Sequence, residues 1–233
     1  MKWQDVCEAL FGPDHGIVEQ DELLRGSAVF DGEPLDVLGT THHAAIGYAM
    51  ALRQARAVLD TVQRSPGRTL LLLVDTQGQR LRRHDELLGI HRAMAHLGCT
   101  VDLARRRGHR VLGLVYDQAL SGGFITSGLL ADACHALPEA EIRVMRLPAM
   151  ARVTKLPQEL LEQLSVANPV FAPGVENYVA MGGVASLWRG DLAEALRRSL
   201  AQLPAEDRRM LDGVARDGRK LAAATVQRVL DAA

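Results

Sequence analysis

The chain has 233 residues, 48% of them hydrophobic, enough for one sizeable core, and its 27 basic and 28 acidic side chains leave a formal charge of -1. That balance excludes a broad electrostatic attraction to nucleic acid or to an anionic membrane, and 4% aromatic content offers little base stacking. No apolar run approaches the roughly 20 residues of a membrane span, the acidic N-terminus lacks a signal-peptide pattern, and the odd, scattered Cys7, Cys99 and Cys134 fit reduced thiols; the expected setting is cytoplasmic.

An amphipathic piece at residues 5–10 opens the chain and breaks at Gly12-Pro13. Two short strands, 25–30 and 34–38, flank Asp31-Gly32, a hairpin signal. Thr40 or Thr41 can cap a helix over 43–62, ended by Ser65-Pro66-Gly67. The strand at 69–74 is apolar almost throughout, so both of its faces should be buried. A long helix is expected from Asp85 to Arg107, with Gly108 as its stop, and a second apolar strand at 110–116 follows. The loop 117–124 then opens into a helix over 125–133.

Beyond Pro138, residues 142–147 read as a buried strand closed by Pro148, and Pro157 sits in the first turn of a helix. Residues 168–174 form a rigid apolar loop, followed by a short helix at 176–181, a strand at 184–188, and a helix at 191–202 capped by Asp191. The tail, 205–233, is mostly helical. Repeated strand, loop and helix units predict α/β architecture in one domain spanning 1–233.

Both apolar strands run into glycine: Thr76-Gln77-Gly78-Gln79 after the first, Ser121-Gly122-Gly123-Phe124 after the second. The interval between Gly78 and Gly122 holds one long helix and one strand, a right-handed crossover, so both loops should emerge at the same end of neighbouring strands. Glycine admits a ligand close to backbone N–H groups that lack intrahelical partners, which suits an oxyanion. An enolate left by decarboxylation and the tetrahedral intermediate of acyl transfer both need such donors, each worth about 3 kcal/mol in the barrier. The loops therefore specify oxyanion stabilisation more firmly than one reaction.

Several side chains have plainer roles. Ser121 can cap the helix behind it, and His135, the one histidine after it, would sit roughly 20 Å away at about 1.5 Å per helical residue. An upstream histidine stays open as its base. Asp75 most readily satisfies nearby loop N–H groups, and Phe124 packs either under the loop or against substrate. His42-His43 and Cys134-His135 lack ligand spacing, so no metal is expected.

The order of motifs resembles the carboxyltransferase branch of the crotonase superfamily. Val74-Asp75-Thr76-Gln77-Gly78 is similar to the Asp-Thr-Pro-Gly strand end of carboxyltransferase subunits, with Gln77 in place of proline. Ser121-Gly122-Gly123-Phe124 is similar to their Gly-Ser-Gly-Gly-Ala, with Leu120 in place of the first glycine. Gly183-Val184-Ala185-Ser186-Leu187-Trp188 is similar to their Gly-Cys-Ala-Ser-Ile-Leu segment. With Gly39-Thr40-Thr41-His42-His43-Ala44 included, the resemblance is to the gamma-subunit family of biotin-independent malonate decarboxylases, over nearly the whole chain.

That resemblance implies a crotonase-like spiral of β-β-α units of carboxyltransferase type. It implies a lyase that, with a homologous beta subunit, converts malonyl-S-acyl carrier protein to acetyl-S-acyl carrier protein and carbon dioxide. It further implies an acyl carrier protein bearing a phosphoribosyl-dephospho-coenzyme A arm, a transferase subunit serving that carrier, and no cofactor bound by this chain itself. By position, Gly122, Gly123 and Gly78 become the catalytic backbone sites, and Gln77, Ser121 and Phe124 the substrate contacts. Two rivals stand beside it: a Clp-like serine hydrolase acting through Ser121, and a non-catalytic partner subunit.

Overall fold

The computed structural model describes residues 1–145, 147–167, 174–218 and 222–232. The loop expected at 168–174 lies outside them except for Gly174, as do Arg146 of the expected strand and residues 219–221 and 233 of the tail.

The first amphipathic segment forms α1 (Trp3–Phe11), which ends where Gly12 takes a positive φ of 79°. The strands β1 (Val18–Gln20), β2 (Leu23–Phe30) and β3 (Glu33–Thr40) form an antiparallel meander. Between β2 and β3, Asp31 and Gly32 both take positive φ (50° and 82°), the pair of values that lets a two-residue turn follow the strand twist. The hairpin is longer than its sequence signal by two residues at either open end.

The helix expected over 43–62 is divided. Ala44–Ile46 is strand β4, and helix α2 (Tyr48–Arg64) starts after it. Neither Thr40 nor Thr41 caps α2; Gly47 is its N-cap, and the Tyr48 N–H donates to Asp85 Oδ1 at 2.8 Å. The long helix expected from Asp85 is likewise two, α3 (Arg83–Leu87) and α4 (Ile90–Arg106), because Gly89 turns the chain with φ 81°. Gly108, with φ 84°, ends α4 as expected.

The two apolar strands are β5 (Thr69–Gln79) and β6 (Val111–Leu120), parallel neighbours. Leu71, Leu73, Leu112 and Leu114 share one core with Trp3, Val6 and Leu10 of α1 and with Trp188 and Leu196. Leu70, Leu72 and Val111 share a second with Met50 and Val58 of α2 and Met94 and Leu97 of α4, and Val74, Val115, Phe124 and Cys134 belong to a third. Alternate residues of one apolar run thus feed two cores, as a sheet covered on both faces requires.

Both strands continue through the segments expected as loops. β5 pairs with β3 as far as Leu73 and with β4 from Thr76; β6 pairs with β7 (Ala133–Ala136) as far as Val115 and with β8 (Glu141–Arg143) from Gln118. New ladder partners satisfy the backbone of these polar stretches, so they stay extended. Among the described residues the sheet order is β1-β2-β3-β5-β6-β7, followed by β9 (Ser186–Leu187).

The expected helix over 125–133 is instead the single turn α5 (Ser121–Ile125), a 3-10 turn at Gly128–Leu130, and β7. At the crossing with β6, a Cβ on Gly113 would stand 2.7 Å from the Gly128 carbonyl oxygen, so the chain must pass there as bare backbone. The strand expected at 142–147 shortens to β8, and Pro148 lies in the first turn of α6 (Leu147–Thr154). Helices α7 (Gln158–Ala167), α8 (Val175–Ala180) and α9 (Leu192–Ala201) match expectation within a residue or two. Asp191 caps α9, accepting the Glu194 N–H at 3.0 Å. The tail carries α10 (Arg209–Ala215) and α11 (Ala222–Asp231).

Candidate functional site

Because β5 and β6 run parallel, with Thr76 opposite Ala119, their two glycine segments meet. The contact is backbone to backbone. A Cβ on Gly123 would lie 2.8 Å from Thr76 Oγ1, 2.9 Å from Ile46 Cγ1 and 3.1 Å from Gly78 Cα. Gly78, at φ 94°, would place one 2.8 Å from the Leu120 carbonyl oxygen and 3.1 Å from Ser121 Cβ. Gly122 is looser: its Cβ would meet Met94 Cε at 3.0 Å, the end of a flexible side chain, with Gln79 Oε1 at 3.7 Å.

Thr76 organises this contact. Its hydroxyl accepts the Gly78 N–H at 2.9 Å and donates to the Ala44 carbonyl at 2.7 Å. The Gly78 N–H is thereby engaged within the protein. At α5 the N–H groups of the first turn have no acceptor inside a helix this short. Thr76, Ile46 and Met94 were absent from the sequence-based site; the threonine of Asp75-Thr76-Gln77-Gly78 was the available signal.

The remaining predicted contacts divide by burial. Gln77 is exposed, beside a cavity shared with Ala45, Gln79 and Arg80. Phe124 is 3% exposed and packs edge-to-face on Tyr178 with ring centres 6.3 Å apart. It supports the loop from beneath, the first of its two expected placements, and presents no free face to a substrate.

Ser121 does not cap α5; Leu120 occupies the N-cap, Ser121 has a left-handed φ of 49°, and its hydroxyl donates to the Val144 carbonyl. His135 lies in β7, where Nδ1 meets Ser186 Oγ at 2.9 Å and burial lowers its pKa to about 4. Among the described residues, no hydrogen bond joins Ser121 to a histidine, so a nucleophile-and-base pair is not assembled here. Asp75 behaves as its plainer reading predicts: Oδ2 accepts the His43 N–H at 2.9 Å. Burial raises its pKa, while that hydrogen bond acts against the rise.

The chain as a whole matches proteins of known family. A family model described as malonate decarboxylase gamma subunit matches residues 41–233. The chain belongs to that family. Similar at 34% identity over 151 residues is the malonyl-S-ACP:biotin-protein carboxyltransferase MADD of Malonomonas rubra, a match covering 61% of this chain and 52% of that protein. The chain thus spans about half the length of this curated relative.

Among solved structures, a chain of a Pseudomonas malonate decarboxylase hetero-tetramer in complex with coenzyme A superposes with a TM-score of 0.82 at 26% identity, covering 99% of both chains. A chain of the Pseudomonas MdcD-MdcE hetero-dimer does so at 0.76 and 27%, covering 98% of this chain and 97% of that one. Transcarboxylase 12S matches in fold, with a TM-score of 0.74 at 21% identity over 88% of this chain and 43% of its own. The fold is that of the crotonase-superfamily carboxyltransferases.

Proposed function

We propose that this chain, assembled with a homologous beta subunit, decarboxylates a malonyl thioester, using the backbone at Ser121-Gly122-Gly123 to hold the negative oxygen of the enolate or of the carboxylate. Loss of carbon dioxide breaks the bond between the central carbon and the carboxylate and leaves its electron pair on the thioester enolate. Protonation of that carbon then gives the acetyl thioester. The chemistry asks for fixed donors at the oxygen, which an unhindered backbone provides without proton transfer.

The observation that carries this reading is the seat of Gly123, which has no room for a side chain against Thr76 and Gly78 at the ends of two parallel strands. Gly78 enters as backbone shape, its own N–H being held by Thr76. Malonyl-S-acyl carrier protein with its phosphoribosyl-dephospho-coenzyme A arm is the proposed substrate, and the transferase that loads the carrier a proposed further partner. The naming of the Pseudomonas and Malonomonas relatives supports both class and assembly. So do exposed apolar side chains along α6 and α7 (Val153, Leu160 and Leu164) and α11 (Val226, Val229 and Leu230), which a protein partner would cover. A cytosolic setting fits three unpaired cysteines, and no described helix is long and apolar enough to cross a membrane.

The test is carbon dioxide release from malonyl thioester, on carrier protein and on coenzyme A, by this chain, its beta partner and the mixture. Release by the mixture alone is expected. Full activity of the beta subunit alone would reduce this chain to a non-catalytic stabiliser.

A further inference from the structure

The register of β5 against β6 breaks at one place. Val74 pairs with Val115 and Thr76 with Ala119, so the single residue Asp75 faces Tyr116, Asp117 and Gln118. A bulge of this kind re-aims side chains. Over it folds the turn between β3 and β4, in which His42 and His43 both take left-handed φ (58° and 51°), unusual for consecutive non-glycine residues. The result sets one imidazole between two carboxylates: His43 Nε2 lies 3.7 Å from Asp75 Oδ1 and 3.5 Å from Asp117 Oδ2.

The burial of Asp75 adds to this. Asp75 is 3% exposed; the His43 N–H donates to Oδ2 and the Gln118 backbone N–H also supports the charged carboxylate, while Oδ1 makes no hydrogen bond of its own and faces His43 Nε2. A buried carboxylate oxygen without a donor is costly unless a cation serves it. The His43 and Asp117 side chains are about half exposed, and the group opens on a cavity of about 360 Å³ beside α1, Thr41 and Tyr116. An ion from solution can therefore reach it.

The geometry points to a divalent transition-metal site, of the kind zinc occupies, formed by His43, Asp75 and Asp117. One ligand atom from each lies within 4.8 Å of the others. Around an ion with metal–ligand distances of about 2.0–2.2 Å, tetrahedral ligands stand about 3.3–3.6 Å apart. Two of the three separations are already near that value, and rotation of the half-exposed Asp117 closes the third. One imidazole and two carboxylates suit zinc or manganese; calcium, which takes six to eight oxygens, finds too few. The fourth position faces the cavity and is left for water. Bound there, the ion clamps the His42-His43 turn to the β5–β6 bulge, one residue before the threonine that holds Gly78. This site is independent of the decarboxylase reading, and its test reads binding and stability rather than turnover.

Tag-free full-length protein, alone and with its beta partner, is stripped with EDTA and titrated calorimetrically with zinc, manganese and calcium. The expected result is one zinc per chain. At free zinc about 100-fold above Kd, Tm should rise by about 5–10 °C. Asp117→Ala, a change at a half-exposed position that leaves the fold intact by circular dichroism, should weaken zinc binding by at least about 100-fold. His43→Gly, which tolerates the left-handed backbone, should do the same. Absence of saturable zinc uptake would overturn the assignment, as would unchanged affinity in both variants. So would a His43 imidazole whose NMR signals follow pH but not zinc, since protonated His43 would then bridge the two carboxylates unaided.

Discussion

The Thr76 hydroxyl accepts the Gly78 N–H at 2.9 Å while donating to the Ala44 carbonyl at 2.7 Å. One side chain thereby shapes the end of β5, binds it to β4, and forms the wall against which Gly123 is seated. Thr76→Val keeps the shape and removes both hydrogen bonds. It leaves two buried backbone groups without partners, which should destabilise the chain by about 1–3 kcal/mol in urea unfolding. Carbon dioxide release by the assembled enzyme should fall further than that loss of folded protein explains. Unchanged turnover in Thr76→Val would separate the Thr76–Gly78 contact from the chemistry.

The two glycines of α5 should respond differently to alanine. At Gly123 the new methyl group meets Thr76 Oγ1 at 2.8 Å and the Gly78 backbone at 3.1 Å, so Gly123→Ala overpacks a rigid contact and should cost about 1–3 kcal/mol. At Gly122 the obstacle is the mobile end of Met94, and the helix gains from alanine what the contact loses, leaving stability near wild type. If substrate oxygen sits against this backbone, Gly122→Ala still displaces it and should lower kcat by about 10–100-fold. Steady-state kinetics beside thermal melts on both variants make the comparison. Wild-type kcat in Gly122→Ala would move the oxyanion elsewhere.

Thiol chemistry should follow burial. Cys7 and Cys134 lie in separate cores, where burial pushes both thiols up to about 12, whereas Cys99 is exposed on α4. A disulfide reagent at pH 8 should label Cys99 rapidly in the native chain and reach the other two only after denaturation. Fast native labelling of Cys134 would mean that β7 opens locally far more readily than its buried position allows.

What the sequence displayed was local. The unbroken apolar run Leu70, Leu71, Leu72 and Leu73, the Asp31-Gly32 turn, the Gly108 stop and the Asp191 cap each act through neighbours in the chain, and each is found where the pattern placed it. Hidden features depend on partners far away. Residues 76–79 read as a loop because their ladder partner, Ala44–Ile46, lies in a stretch that reads as helix, and 117–120 because a strand expected at 142–147 does not by itself reveal that it pairs with them. The same applies to the candidate site. Glycine at 78, 122 and 123 was visible, but the hydroxyl that seats them depends on the β5–β6 register. His43, Asp75 and Asp117 meet only through a bulge; the one sequence trace is that each apolar strand runs into an aspartate, Val74-Asp75 and Tyr116-Asp117.

Acid stability should be governed in part by His135. Its ring lies 5.2 Å from that of Trp188, Nδ1 meets Ser186 Oγ, and burial lowers its pKa to about 4 from an ordinary 6.5. The unfolded chain therefore binds a proton at this position between about pH 6.5 and 4 that the folded chain excludes. Stability owed to the neutral ring is complete above pH 6.5 and is lost as pH falls toward 4, by roughly 3 kcal/mol at most. Asp75 acts in the opposite sense, because burial raises its pKa and folding then favours its protonated form as pH falls. The wild-type slope sums these with Asp31 and Asp207, whose carboxyls Arg197 and Arg209 hold below the usual range, so the His135 part is isolated by difference. His135→Gln should lower Tm at pH 7.5 through lost packing on Trp188, yet show a shallower decline between pH 6.5 and 4.5 than wild type. Parallel melting curves for the two proteins across that range would show that His135 takes up its proton in the folded state as freely as in the unfolded one.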